Sequence, residues 1–198
     1  MDEFKFGISI GTSKVAIIQF DLGNEKLLPN HDNNTIIPSF VHYQNQQVEK
    51  YGQRARDVAV QNYKDIFFDI KSLIGQDMDS RLINTWRNYW SFSIDSKPDD
   101  KFRKVYYKNT DETLMCPVKV LSDLLKSAIQ NESKVFARIA CSSTSTLTQK
   151  MAFIKAVEKA NIKFDILLPK PIAGMISYHN DVKPVTDTNS FVFIFGGG

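Results

Sequence analysis

An apolar strand running into a glycine-bearing turn stands at each end of this chain, and the pair constrains the fold more than any other feature. The first is Phe6-Gly7-Ile8-Ser9-Ile10-Gly11-Thr12-Ser13-Lys14-Val15-Ala16-Ile17, and the second is Phe191-Val192-Phe193-Ile194-Phe195-Gly196-Gly197-Gly198. Small residues let several backbone N–H groups converge on an anion. The two turns therefore predict one phosphate chain gripped between two hairpins, with Phe4 to Ile10 and Phe191 to Phe195 in the same sheet. Neither strand carries an acidic residue where a metal-dependent phosphotransferase needs one.

Between these ends the pattern is that of an α/β chain. Phe4 to Ile10 and Val15 to Phe20 read as a hairpin, and Leu27-Leu28 as a short third strand. Ile36 to Tyr43 reads as extended, with Pro38 marking a break or an edge. Ala55, Val58 and Ala59, then Phe67, Phe68, Ile70, Leu73 and Ile74, suggest helices separated near Asn62-Tyr63. Asp95 to Tyr107 reads as an exposed hairpin. Pro117 fits the first turn of a helix reaching about Asn131, whose Leu121, Leu125 and Ala128 should pack on a sheet. Strand 135–141, a capping loop from Ser142 to Thr148, helix 149–161, strand 166–168, helix 172–179, a loop from Pro184 to Asn189 and strand 191–195 then alternate.

Composition narrows the function classes. A chain of 198 residues that is 42% hydrophobic and 24% charged can bury one core or two small ones. The net charge of +3, from 25 basic and 22 acidic residues without a basic run, argues against direct nucleic-acid binding. Met1 to Lys5 lacks the basic and apolar start of a signal peptide, and no run approaches the ~20 apolar residues of a membrane span, so a cytoplasmic setting without membrane contact is expected. Cys116 and Cys141 read as reduced structural thiols, and the scattered His31, His42 and His179 form no metal cluster.

The motifs together resemble the N-terminal lobe of the nucleotide-binding domain of the DnaK-type, seventy-kilodalton heat-shock chaperones, within the actin-like ATPase (ribonuclease H-like) superfold. Gly7 to Ser13 is similar to the first phosphate motif, Ile37 to Val41 to the segment after it, Lys170 to Gly174 to the first connecting segment, and Phe193 to Gly198 to the second phosphate motif, while Gly52 to Gln76, which includes Phe68 to Gly75, matches the family without a gap. The resemblance implies one lobe built from residues 1–38 and 112–198, with a smaller α/β subdomain inserted over 39–111 and a second lobe and substrate domain absent from the chain. It also implies a nucleotide site at Gly11, Thr12, Ser13, Lys14, Gly196, Gly197 and Gly198.

Departures from the family pattern set the functional expectation. Ser9 and Ile194 stand where the family has the aspartates that organise hydrated magnesium. Lys170 replaces a glutamate, and Ser142 replaces the proline that acts with it as a nucleotide-sensing switch. Lys71 matches the catalytic lysine. A lysine without a metal and without acids cannot run phosphoryl transfer, which depends on placement and on charge stabilisation by the metal. ATP or ADP without hydrolysis is therefore expected, without a Mg²⁺ site, in a pseudo-ATPase acting as co-chaperone or regulatory scaffold. Its expected partners are other chaperones, J-domain co-chaperones or the ribosome. An active ATP-dependent chaperone and an interaction module without nucleotide are the alternatives. The residues leave further choices open: Ser9 reads equally as a strand serine bonded to backbone, Lys71 as a solvated helix lysine, and Lys14 as exposed or as neutralising phosphate. Lys170 either pairs with phosphate or fills the metal position with its ammonium.

Overall fold

Strand β1 (Phe6–Ile10) buries Phe6, Ile8 and Ile10 and leaves Gly7 and Ser9 half-buried. That is the two-residue period of a strand with one covered face. The structure, a computed structural model, describes residues 6–21, 24–27, 35–129, 135–183 and 191–194, with the side chains of 21 and 24–27 outside the description. From β1 the chain turns into the antiparallel β2 (Lys14–Asp21), with Phe6 opposite Gln19 and Ile10 opposite Val15. β3 (Asn24–Leu27) and β4 (Ile36–Pro38) both pair with β2.

Pro38 ends that pairing because it has no N–H to donate. The chain then enters a second sheet of β5 (Val41–Gln44), β6 (Gln47–Tyr51) and β7 (Ile66–Phe67), ordered β6-β5-β7. Short helix α1 (Gln53–Asp57) packs on β5 and β6, and α2 (Ile70–Leu73) and α3 (Arg81–Trp86) follow β7 along the chain. A third sheet follows, β8 (Ser93–Asp95), β9 (Tyr106–Lys108) and β10 (Leu114–Met115), ordered β10-β9-β8.

α4 (Pro117–Ala128) starts with proline at its first position and buries Val120, Leu121, Leu124, Leu125 and Ala128 along one face. Each large side chain buried there is worth about 1.5–3 kcal/mol of transfer free energy. β11 (Val135–Cys141) returns parallel to β1, and α5 (Leu147–Lys159) packs against α4. β12 (Ile162–Pro169) runs parallel to β11, and α6 (Lys170–Val182) leaves its end. The first sheet is therefore mixed and six-stranded, ordered β12-β11-β1-β2-β3 with β4 on β2. The Thr146 hydroxyl accepts from Gln149 N at 3.2 Å while Gln149 Oε1 accepts from Thr146 N at 3.0 Å, so the polar loop does cap α5.

Three expectations need correction. Phe67, expected in a helix, forms a strand together with Ile66, because this apolar pair serves the edge of β5 on one side and a core of aromatic rings on the other. The hairpin of β8 and β9 is not fully exposed: the ring of Tyr107 is completely buried, stacks on Phe67 with centroids 4.5 Å apart, and its hydroxyl donates to Phe68 O at 2.7 Å. Residues 191–194 join no strand. A strand needs a ladder neighbour and a packed face, whereas Phe191, Val192, Phe193 and Ile194 are all at least 39% exposed. The expected union of both chain ends in one sheet is not found among the described residues, and the loop from Pro184 to Asn189 lies outside them, as does Phe195.

Candidate functional site

The register of the parallel strands decides which residues meet. Ser9 lies opposite Ala140, and Cys141 opposite Pro169. β1, β11 and β12 thus end side by side and release Gly11, Ser142 and Lys170 at one edge. Ligands of α/β sheets bind outside the carboxyl ends of such strands.

Gly11 begins the tight β1–β2 turn, where its N–H donates to Lys14 O at 2.9 Å. A Cβ at Gly11 would lie 2.8 Å from that same backbone oxygen, so the turn has no room for a side chain. Ser13 O accepts from Ser39 N at 2.9 Å, tying the turn to the crossing strand segment. Thr12, Ser13 and Lys14 line a cleft of about 530 Å³ together with the apolar Ile36, Pro38, Phe40 and Phe68, and Arg56 and Asp69 join Lys14 as its charged residues. Asp69 sits at the start of α2 with φ 53, an uncommon left-handed conformation for this residue. The Trp90 indole N–H holds its carboxylate at 2.9 Å.

On the other side of the turn stands Lys170, the first residue of α6. Its Nζ lies 3.6 Å from where a Cβ on Gly11 would be. Burial lowers its pKa below the ordinary lysine value; Lys71 and then Lys14 add to this, and Cys141 opposes it. Burial raises the Cys141 thiol, against the pull of Lys150, Lys71 and Lys170. Lys71 and Lys14 thus act electrostatically on Lys170, and Lys150, Lys71 and Lys170 act on Cys141. Among the described residues none of these lysines forms an ion pair, and no group of three or more His, Cys, Asp or Glu could hold a metal ion.

Of the residues expected to form a site, the structure brings Gly11, Thr12, Ser13, Lys14, Lys71 and Lys170 to this edge. Ser142 reaches it too, with its hydroxyl 2.9 Å from Thr144 Oγ1. Ser9 lies one step back within β1, half-buried between Ala16 and Ala140. Ile194 is 52% exposed and is not among the residues lining the cleft. Gly196, Gly197 and Gly198 lie outside the described residues. Sequence reasoning missed Arg56, Asp69 and Lys150 and treated Cys141 as purely structural. Arg56 and Asp69 fall in the stretch similar to the chaperones but in no phosphate motif, and no local signal marks Lys150, which only the packing of α5 brings in.

Comparison with known proteins supplies the remaining finding. The family model described as Hsp70 protein matches residues 5–146. A human sequence provisionally named heat shock 70 kDa protein 7 is 24% identical over 99% of the chain, which spans 54% of that sequence. The chaperone protein dnaK of Cyanidium caldarium is 24% identical over 97% of the chain, and the chaperone protein HscA of Salmonella paratyphi C is 26% identical over 88%. The chain spans 31% and 28% of those two relatives.

Proposed function

The chain belongs to the Hsp70 family, whose domain has the actin-like ATPase fold, and from that premise we propose that it is a nucleotide-binding part of a chaperone that holds ATP or ADP without hydrolysing it. The proposed layout is one lobe, residues 1–38 and 112–198, with 39–111 as an inserted subdomain. The six-stranded sheet draws its strands from 6–38 and 135–169 and the small sheets draw all but one of theirs from 41–108, which supports that division, with β10 at 114–115 pairing with β9 across its second boundary.

One observation carries the reading: the Lys170 ammonium stands against the Gly11 turn, Lys71 and Lys14 act on it electrostatically, and among the described residues none of the three forms an ion pair with a carboxylate. Magnesium needs hard anionic oxygen, and Ser9, Ser142 and Lys170 do not supply it. A fixed ammonium at this edge instead neutralises phosphate directly, beside the backbone of the turn. Loss of a single positioned acid or base already costs about 10²–10⁴ in rate, so turnover is not expected. A protein of this kind acts as a co-chaperone or regulatory scaffold, with other chaperones, J-domain proteins or the ribosome as partners. The names of its relatives support the coarser reading of a chaperone-related domain.

The rival reading, an interaction module without nucleotide, draws on α6. That helix buries no residue and exposes Ile172 and Ile176 beside a groove of about 510 Å³. Calorimetric titration of ATP into the full-length protein, with magnesium and with the metal chelated, separates the two. Similar affinity in both conditions, with no steady-state hydrolysis, is the expected result. Affinity that collapses on chelation would show a metal site built from other residues, and absence of binding in both conditions would favour the interaction module.

A further inference from the structure

Apolar side chains that stand singly on a surface need no explanation, whereas an adjoining group of them marks a face that something else covers. The end of α3 carries such a group. We propose that Trp86, Arg87 and Tyr89 form a docking surface for an acidic segment of a partner protein, one that carries apolar side chains between its carboxylates.

Residues 84–89 are all exposed, and they include two large aromatics, Trp86 at 53% and Tyr89 at 76%. The two rings adjoin, with centroids 5.5 Å apart and planes at 59°, so they offer one apolar surface rather than two separate ones. The backbone beneath them is fixed. Ser80 Oγ accepts from Ile83 N at 3.3 Å at the head of the helix, Arg87 N donates to Ile83 O at 2.9 Å at its end, and Tyr89 N donates to Trp86 O at 2.9 Å in the turn that follows. On either side Ile83 and Phe92 are buried, and the Trp90 indole N–H donates to Asp69 at 2.9 Å. Rings displayed on a backbone that is already ordered lose little entropy when a partner covers them.

Charge identifies the kind of partner. Residues 81–92 hold Arg81 and Arg87, both exposed, and no acid, and Arg87 stands between the two aromatics in the chain. The acids just before this stretch are engaged elsewhere, Asp77 with Lys104 and Asp79 with Arg103. Among the described residues neither arginine forms an ion pair, and neither the Trp86 indole N–H nor the Tyr89 hydroxyl has a hydrogen-bond partner. The patch thus presents apolar faces and open donors without a carboxylate, and its complement is a row of carboxylate acceptors with apolar side chains among them. Tryptophan, tyrosine and arginine are also the residues that dominate binding energy at protein interfaces. A single-stranded nucleic acid stacks on such rings too, but it needs a run of cations that tracks its backbone. Two arginines do not make that run.

The test titrates the full-length protein into a short fluorescein-labelled peptide of glutamate, aspartate and phenylalanine, with binding read by anisotropy. It is expected to bind about tenfold more tightly than the same peptide with lysine in place of the acids or serine in place of phenylalanine. This chain holds two tryptophans and Trp90 is half-buried, so acrylamide quenching reports chiefly on Trp86 and should fall when the peptide is bound. Trp86→Ala and Arg87→Glu should each weaken binding by about tenfold at unchanged urea Cm, whereas Leu147→Ala, at an exposed apolar residue of α5, should leave it as it is. Equal affinity for the three peptides overturns the proposal, and so does a loss in Leu147→Ala as large as in Trp86→Ala. Oligouridylate bound more tightly than the acidic peptide would give the surface to nucleic acid, and self-association abolished by Trp86→Ala would give it to a second copy of the protein; either result overturns the proposal as well. No nucleotide enters these measurements, so their failure leaves the nucleotide reading untouched.

Discussion

Replacing Gly75 by alanine should unfold this protein several degrees early, because two separate costs meet at one Cβ. Gly75 follows α2 with φ +70, a backbone region in which an L-residue loses roughly 1–2 kcal/mol. The added Cβ would also lie 2.9 Å from Gln149 Cα and 3.1 Å from both Gln149 N and Thr148 O. These are backbone atoms in the first turn of α5, so no side chain can swing aside. Forcing them apart resembles overpacking a core, at about 1–3 kcal/mol. Gln149 also closes the capping box with Thr146, so its displacement strains hydrogen bonds of 3.0 and 3.2 Å. A total near 3 kcal/mol, at about 2–4 °C per kcal/mol for a domain of this size, lowers Tm by about 6–12 °C. Urea denaturation with Cm and m resolved gives the free energy directly. Gly75→Asn is the control: asparagine enters the left-handed region more readily, but it meets the same atoms and should lose nearly as much. An alanine variant within about 0.5 kcal/mol of the wild type, the range of ordinary surface changes, would refute the reasoning. An asparagine variant at wild-type stability would show that α5 yields and that the dihedral alone carries the cost.

Two further changes probe buried polar groups. The Ser122 hydroxyl on α4 is buried with no hydrogen-bond partner among the described residues; Ser122→Ala should therefore raise stability by about 1 kcal/mol, read as a higher urea Cm, and a lower Cm would contradict it. Burial lowers the His42 pKa, against the raising effect of Glu49, whose Oε2 lies 2.9 Å from Nδ1 but out of line for a hydrogen bond. Since the unfolded state takes up that proton first, the stability tied to His42 is whole above about pH 6.5 and is lost as pH falls through the depressed folded value. Cm measured at pH 7.5 and 5.5 should drop less in His42→Gln than in the wild type, and equal drops would exclude His42 as the source.

Much of the secondary structure is legible along the chain because its signals are local. Pro117 at the head of α4, the Thr146 and Gln149 pair at the head of α5, and the alternation of Phe6, Ile8 and Ile10 each act within a few residues, where hydrogen-bond geometry and side-chain period decide the outcome. The same local logic fails at Phe67, which joins Ile66 in a strand. An apolar run too short to show a period becomes whatever its neighbours need, and here β5 offers an edge and Tyr107 a ring to stack on. It fails again at residues 191–194, whose apolar character reads as a strand although no ladder partner or covering layer meets them among the described residues.

The candidate site divides in the same way. That Gly11 suits a tight turn, that no acid stands at Ser9 or Lys170, and that a lysine stands at 71 are properties of residue identity, and the chain by itself determined them. That Lys170 comes to stand against Gly11, that Lys14, Lys71 and Lys150 share one electrostatic neighbourhood with it and Cys141, and that Ile194 lies outside the cleft were decided only by the tertiary structure. The reason is that charge–charge interaction depends on distance through space and on how far burial strips away water. Both quantities come into being only when the ends of β1, β11 and β12 are brought side by side.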